Sequence, residues 1–375
     1  MNQDPSVTSR NLSRQSARER RQSGLSKAAG IAAEVLATLA VLCALYIAWQ
    51  LWWTGVQSEH AQIQARQASS WSAPASGKGG AERIAPKQEG EPPVQPQSAQ
   101  RGELIAQLYV PRFGTTWDRN VVEGTSADLL AYGGIGHYTQ TQMPGQKGNF
   151  ALAGHRAGYG EPFSSVDKLQ EGDPIIVRTK DYWYVYHYTS KKVVEPGEVS
   201  VIAANPEHPD EAATKRMITL TTCEPKYATA AHRWISWGEL NYWAKVSDGV
   251  PQELASKSNG GVVFENEHQG GALARLGSLL PVITVLLLMY IIIYLAALVA
   301  WRYPKLRAIS DGREPKPYLS FYGWLSRHQA GITPVRWVLM ALLALIAVCA
   351  MLEWVFPRMA ANIPFMRAIS NYPSV

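Results

Sequence analysis

Cysteine is scarce in this chain: three occur in 375 residues, at positions 43, 223 and 349. Cys43 and Cys349 lie inside long apolar runs, where a thiol behaves as a small hydrophobe. Cys223 therefore has no disulfide partner outside those runs, and a disulfide-stapled fold is excluded. No Cys-x-x-Cys pair, His-Glu-x-x-His run or glycine-rich phosphate loop is present, so the usual zinc and nucleotide sites have no support. No internal repeat is present either, which removes solenoids and propellers. The first apolar run is not followed by a small-residue cleavage site. It reads as a retained anchor, with Trp49, Trp52 and Trp53 as an interfacial belt.

Three apolar runs, 31–53, 279–301 and 337–356, each hold about twenty residues, enough to cross a bilayer as a helix. Glu34 is the one charge in the first and sits near its end. Basic residues set the expected orientation. Arg10, Arg14, Arg18, Arg20, Arg21 and Lys27 precede the first run, and residues 302–336 between the second and third carry seven more, Arg302 to Arg336. Both flanks are expected in the cytoplasm, which puts residues 54–278 and the tail 357–375 outside the cell in a multi-pass membrane protein. The formal net charge of +6 comes mostly from these flanks. Acids and bases balance between Leu104 and Val250, so nucleic acid is not an expected partner, whereas the lipid bilayer is.

In the outward segment, 54–102 is rich in Gln, Ser, Ala, Gly and Pro without apolar periodicity and reads as a flexible tether, with 251–278 as a second linker. Between them, 103–250 reads as one all-β domain, a barrel or sandwich. Strand-prone runs fall at 104–110, 120–123, 149–153, 174–179, 182–188, 217–222 and 233–246. Short helices are expected at 126–131, capped by Ser126, and at 162–169.

Cys223 ends one of these strands, Arg216-Met-Ile-Thr-Leu-Thr-Thr-Cys223, which is where a nucleophile would stand. A thiol attacks an amide only as thiolate and needs a base nearby. His137, His155, His187, His208 and His232 are the candidates. His155 follows an apolar strand in Leu152-Ala-Gly-His-Arg156 and precedes the loop Gly158-Tyr-Gly160, a common setting for a catalytic group. Arg233 opens the strand after Cys223 and would lie beside it in a hairpin, able to stabilise a developing oxyanion. Arg156 is a rival, and the residues alone leave that choice open. Asp167, Asp173 and Glu195 read as turn caps or solvated acids.

Thr219-Leu-Thr-Thr-Cys223, with Arg233 downstream and Leu152-Ala-Gly-His155 upstream, resembles the sortases, and Gly154-His-Arg-Ala-Gly-Tyr-Gly-Glu-Pro-Phe163 is similar to the class E sortases of Gram-positive actinobacteria. The likeness runs from about Leu104 to Val246, through Val121-Val-Glu-Gly124, Gly136-His-Tyr138, Gly148-Asn-Phe150 and Trp183-Tyr-Val-Tyr186. It implies a mainly β fold, a closed eight-stranded barrel with short helices. It also implies a transpeptidase; with no metal or nucleotide motif in the chain, no cofactor or metal is expected. Such an enzyme cleaves a C-terminal sorting signal, Leu-Ala-x-Thr-Gly or Leu-Pro-x-Thr-Gly, between Thr and Gly. By that resemblance Cys223 is the nucleophile that forms a thioacyl intermediate, His155 the proton carrier and Arg233 the holder of substrate and oxyanion. Thr222 contributes to the substrate site, and Tyr159 reads the second motif position.

The partners so implied are secreted proteins bearing a sorting signal and an amino group of a peptidoglycan precursor. The alternative acceptor is a pilin lysine, since a C-terminal span is more familiar in pilin-polymerising sortases, although no Asp-Pro-aromatic tripeptide precedes the barrel. Two other readings are a non-enzymatic membrane scaffold that binds peptides and a plain cysteine protease.

Overall fold

The computed structural model describes residues 28–71, 83–227, 230–258, 261–263, 272–314 and 320–370. Most of the basic tail 1–30, part of the first expected tether and the chain's last residues lie outside these. The chain divides into two compact units, Ala48–Ser278 with Pro357–Val375, and Met1–Ile47 with Leu279–Phe356.

The first unit holds a closed barrel of eight strands: β1 (Leu104–Tyr109), β2 (Asp118–Glu123), β3 (Ile135–His137), β4 (Gly148–Gly154), β5 (Pro174–Arg178), β6 (Tyr182–Val194), β7 (Arg216–Glu224) and β8 (His232–Lys245). They follow the order β1-β2-β3-β4-β7-β8-β6-β5, and pairing of Gln107 with Arg178 closes the ring from β1 to β5. Alternation decides which residues point inward. In β6, Tyr184 and Tyr186 join Leu108, Val121, Phe150 and Leu220 in the barrel core. Trp183 and Val185 point outward, against Ile176, Tyr242, Ala244 and Ala85. This second, outer cluster is why the aromatic run Tyr182-Trp-Tyr-Val-Tyr is apolar on both faces.

Most expected strands lie where the pattern puts them. β3 is new: three residues, Ile-Gly-His, too short to show alternation, held by parallel pairing to β2 and antiparallel pairing to β4. The helix expected at 126–131 is present as Ala127–Tyr132. The one expected at 162–169 reduces to a single tight turn, Val166–Lys168.

Where described, the two expected linkers are ordered and packed. Residues 54–68 are helical, part of a helix running Ala28–Ala68. Residues 83–99 form a strap along the barrel: on its outer side Ala85 N–H donates to Val250 O (2.8 Å) and Gln88 N–H to Trp243 O (2.8 Å), and further on Ala99 packs against the inner core. The Tyr184 hydroxyl donates to Pro93 O (2.7 Å). The composition had hidden this because the strap is held by main-chain hydrogen bonds, which need no apolar periodicity. In the second linker, Ser256–Ser258 pairs with Gly261–Val263, and Ala272–Leu276 is helical.

Among the described residues, three helices are long and apolar enough to cross a membrane: Ala28–Ala68, Leu280–Ala300 and Thr333–Asn362. The charges in the second unit's runs have partners. Glu34 accepts the Phe321 N–H (2.9 Å) at the start of helix Phe321–Arg327. Glu353 accepts the Leu279 N–H (3.2 Å) at the start of helix Leu280–Ala300, where the helix dipole favours a carboxylate.

Candidate active site

β7 and β8 pair antiparallel with Cys223 directly opposite Arg233. Cross-strand partners put their side chains on one face with Cβ atoms about 5 Å apart. On its other side β7 pairs parallel with β4, Ala153 opposite Thr221. Two residues further along each chain come His155 and Cys223. The register thus draws sulfur, imidazole and guanidinium, from three stretches of sequence, to one end of the barrel.

Cys223 is a free thiol, half-buried and the barrel's only cysteine. Arg233 is half-exposed; its guanidinium donates to His232 O (3.1 Å) and makes no ion pair among the described residues. Its fork remains open to an anion. His155 is buried, and its Nε2 has no hydrogen-bond partner among the described residues. Burial pushes its pKa down to about 4, because a charged imidazolium there would lose its hydration. At neutral pH His155 is therefore an uncharged imidazole that can accept a proton.

Two of the other candidate histidines, His137 and His232, are otherwise engaged. His137 is fully buried and pairs through Nδ1 with Glu123 (2.7 Å), while Nε2 meets the Thr141 hydroxyl (3.0 Å). It is a structural tie between β2 and β3. His187 lies mid-strand in β6, His208 is exposed, and His232 faces Glu195 at 3.4 Å.

Arg156, the rival guanidinium, is buried and spent. It pairs with Glu224, reaches Asp167 (3.5 Å) and the Cys223 carbonyl (3.5 Å), and lies over the Trp234 ring at 4.8 Å. It fastens the loop after β4 to the end of β7. Glu224, the residue after the cysteine, was not among the sequence candidates; an acid beside a nucleophile and an arginine beside a histidine are the only signal it leaves.

Thr222 is buried, and its hydroxyl donates to Gly154 O (2.7 Å), the residue before His155. Tyr159 is 1% exposed, with its ring centroid 4.6 Å from that of His155. Asp173 accepts the Gln170 N–H (2.8 Å) and pairs with Arg112 (2.7 Å), a turn cap as expected. No three His, Cys, Asp or Glu side chains gather as a metal site among the described residues.

A sortase domain model matches residues 108–241. Sortase SrtE1 of Streptomyces coelicolor is 36% identical over 260 residues, covering 66% of this chain and 67% of that protein. Sortase SrtE2 of the same organism is 35% identical over 250 residues, 63% of this chain and 93% of the relative. The chain belongs to the class E sortases. The solved structure of sortase E from Streptomyces avermitilis is 39% identical to this sortase, covering 42% of this chain and 99% of that one, with a TM-score of 0.38. Sortases are cysteine transpeptidases, so the enzyme breaks an amide and passes the acyl group to an amine. The sortase-matched region contains one cysteine, Cys223.

Proposed function

We propose that this sortase cleaves a C-terminal sorting signal of the Leu-Ala-x-Thr-Gly or Leu-Pro-x-Thr-Gly kind between Thr and Gly, and joins the new carboxyl end to an amino group of a cell-wall precursor. The observation that carries the site assignment is the cross-strand pair Cys223 and Arg233 beside the strand end that bears His155. The sulfur of Cys223 attacks the Thr carbonyl as the neutral His155 takes the thiol proton. The Arg233 guanidinium meets the oxyanion. Collapse breaks the C–N bond, and His155 returns the proton to the leaving glycine amine. The acceptor amine then attacks the thioester and displaces the thiolate, losing a proton to His155 that reprotonates the sulfur. For Thr222 and Tyr159, burial supports a role in placing His155 rather than the substrate contacts that the family resemblance implies.

The chain is further inferred to be a multi-pass membrane protein with its basic flanks in the cytoplasm and its barrel outside, supported by three apolar helices and the basic residues that flank them. The chemistry is tested with the full chain in detergent, a panel of sorting-signal peptides, and glycine or lysine peptides as acceptors, with products read by mass spectrometry. A Thr–acceptor amide is expected with wild type and none with Cys223→Ala. Amide formation by Cys223→Ala would end the assignment, and a preference for the lysine peptide would favour the pilin acceptor.

A further inference from the structure

The first apolar helix does not stop where its hydropathy does. Residues Thr54–Ala68 are polar, yet Thr54, Ser58 and Gln62 are buried, one turn apart on a single face. That face lies on the outside of β2. Gln62 Oε1 accepts the Asn120 N–H (3.0 Å), and Asn120 Nδ2 donates to Gln62 O (3.0 Å). Arg66 reaches the Asn120 side chain (2.6 Å) and the Asp118 carboxylate (2.7 Å).

At its upper end the same face meets the loop that follows His155. Gly158 (φ 71°), Tyr159 (φ 53°) and Gly160 (φ 78°) are left-handed in succession. Tyr159 bears a Cβ, so this backbone is strained and persists only where its surroundings hold it. The Thr54 hydroxyl is what holds it: its oxygen accepts the Tyr159 N–H at 3.0 Å while its proton goes to Gln50 O at 2.7 Å. The approach is close. A Cβ on Gly55 would meet Gly160 N at 3.2 Å, and one on Gly158 would meet Gln50 O at 3.1 Å. The Tyr159 backbone is thus pinned on one side while its ring covers His155 on the other.

We propose that Thr54, seated by Gly55, is a positioning residue of the active site: its hydroxyl holds the Tyr159 backbone so that the Tyr159 ring stays packed on His155. The helix is then a working part of the catalytic unit. The proposal rests on His155 carrying protons in the reaction. The low pKa of His155 has burial as its cause, so uncovering the ring raises it. The titratable and charged groups on the elements that border it are Tyr159 on its own loop, whose ring packs on it, Arg156 with Asp167, Glu161 with Lys226, Cys223 and Glu224 on β7, and Arg233 on β8.

The test uses the full chain in detergent, a Leu-Ala-x-Thr-Gly peptide with hydroxylamine as acceptor, and the His155 imidazole titration followed by NMR. Thr54→Val keeps the shape, removes the acceptor and orphans a buried N–H; kcat should fall about tenfold with KM within about twofold. The His155 midpoint should rise toward its ordinary 6.5. Thr54→Ser should restore both, and Gln64→Val on the exposed side of the helix should change neither. If Thr54→Val does not fold, Gly55→Ala is read in the same two assays and should move both the same way. Wild-type kcat and titration in the replacing variant, or a Thr54→Ser as impaired as Thr54→Val, would overturn the proposal. Full activity of His155→Ala would instead sink the site assignment beneath it, whereas an inactive His155→Ala beside a silent Thr54→Val would sink the positioning role alone.

Discussion

Arg233 stands opposite Cys223 with its fork unpaired by any carboxylate among the described residues, so its charge is available to a substrate oxygen. A lysine there would keep the charge and lose the planar pair of donors. Arg233→Lys should lower kcat/KM by about a hundredfold or more, the scale of losing an oxyanion donor. Its unfolding midpoint should stay near wild type, since the side chain is half-exposed; near-normal turnover in a steady-state peptide assay would remove Arg233 from the site. His155 makes a separate demand through protons. Its folded pKa of about 4 lies below its unfolded value of about 6.5, so the unfolded chain binds a proton in that window and the folded chain does not. Stability is unaffected above pH 6.5, falls as pH drops through the window, and has lost about 3 kcal/mol once below it. His155→Asn should flatten that portion of a melting-temperature against pH curve; an unchanged slope would mean that the imidazole is not buried. That Cys223 and Arg233 could face each other was legible in the chain, because two adjacent strand-prone runs invite a hairpin, and the two are cross-strand partners. The proposed base was less so, since five histidines were eligible and only the fold shows His137 and His232 paired and His155 buried.

Among the elements, the stretch 54–68 shows best why some structure could not be read. Hydropathy ends the first helix at the tryptophans, and the residues beyond carry no apolar stripe. Their buried face is Thr, Ser and Gln, held by hydrogen bonds and one ion pair, and such pairing leaves no periodicity in a hydrophobicity pattern. The barrel strands were legible for the opposite reason: a half-buried sheet writes its faces into alternate residues. β3 escaped because three residues carry no alternation, and its hydrogen bonds come from neighbours already in place. The polar seam has its own consequence. Asp118 is buried beneath the helix, and Arg66 supplies a countercharge at 2.7 Å. Arg66→Met would strip that charge from a buried carboxylate, which costs on the order of 3 kcal/mol. Asp118→Asn in the same chain should recover part of it, because the amide needs no countercharge. Thermal unfolding of the two variants and the double variant in detergent checks this; equal melting of Arg66→Met and wild type would show that the helix contributes nothing to the catalytic unit.

For the molecule as a whole, membrane and catalytic parts divide the three cysteines. Cys43 and Cys349 belong to helices long and apolar enough to span a bilayer, whereas Cys223 ends a barrel strand. Basic residues flank the first helix before it and the second after it, so the proposed topology puts two crossings between cytoplasm and barrel, one on each side of it. A thiol in hydrocarbon is closed to a charged, membrane-impermeant maleimide, and a thiol on the outer side is open to it. In intact cells one label per chain is therefore expected, lost in Cys223→Ala and retained in Cys43→Ala and Cys349→Ala. Labelling of Cys223 only after the cells are opened would put the barrel in the cytoplasm, where secreted substrates and a cell-wall amine are out of reach, and the proposed acceptor would fall with the topology. Labelling of Cys43 or Cys349 in sealed cells would instead show that the helix concerned does not lie in the bilayer, leaving the barrel's chemistry intact and its anchoring to be reassigned to the remaining spans.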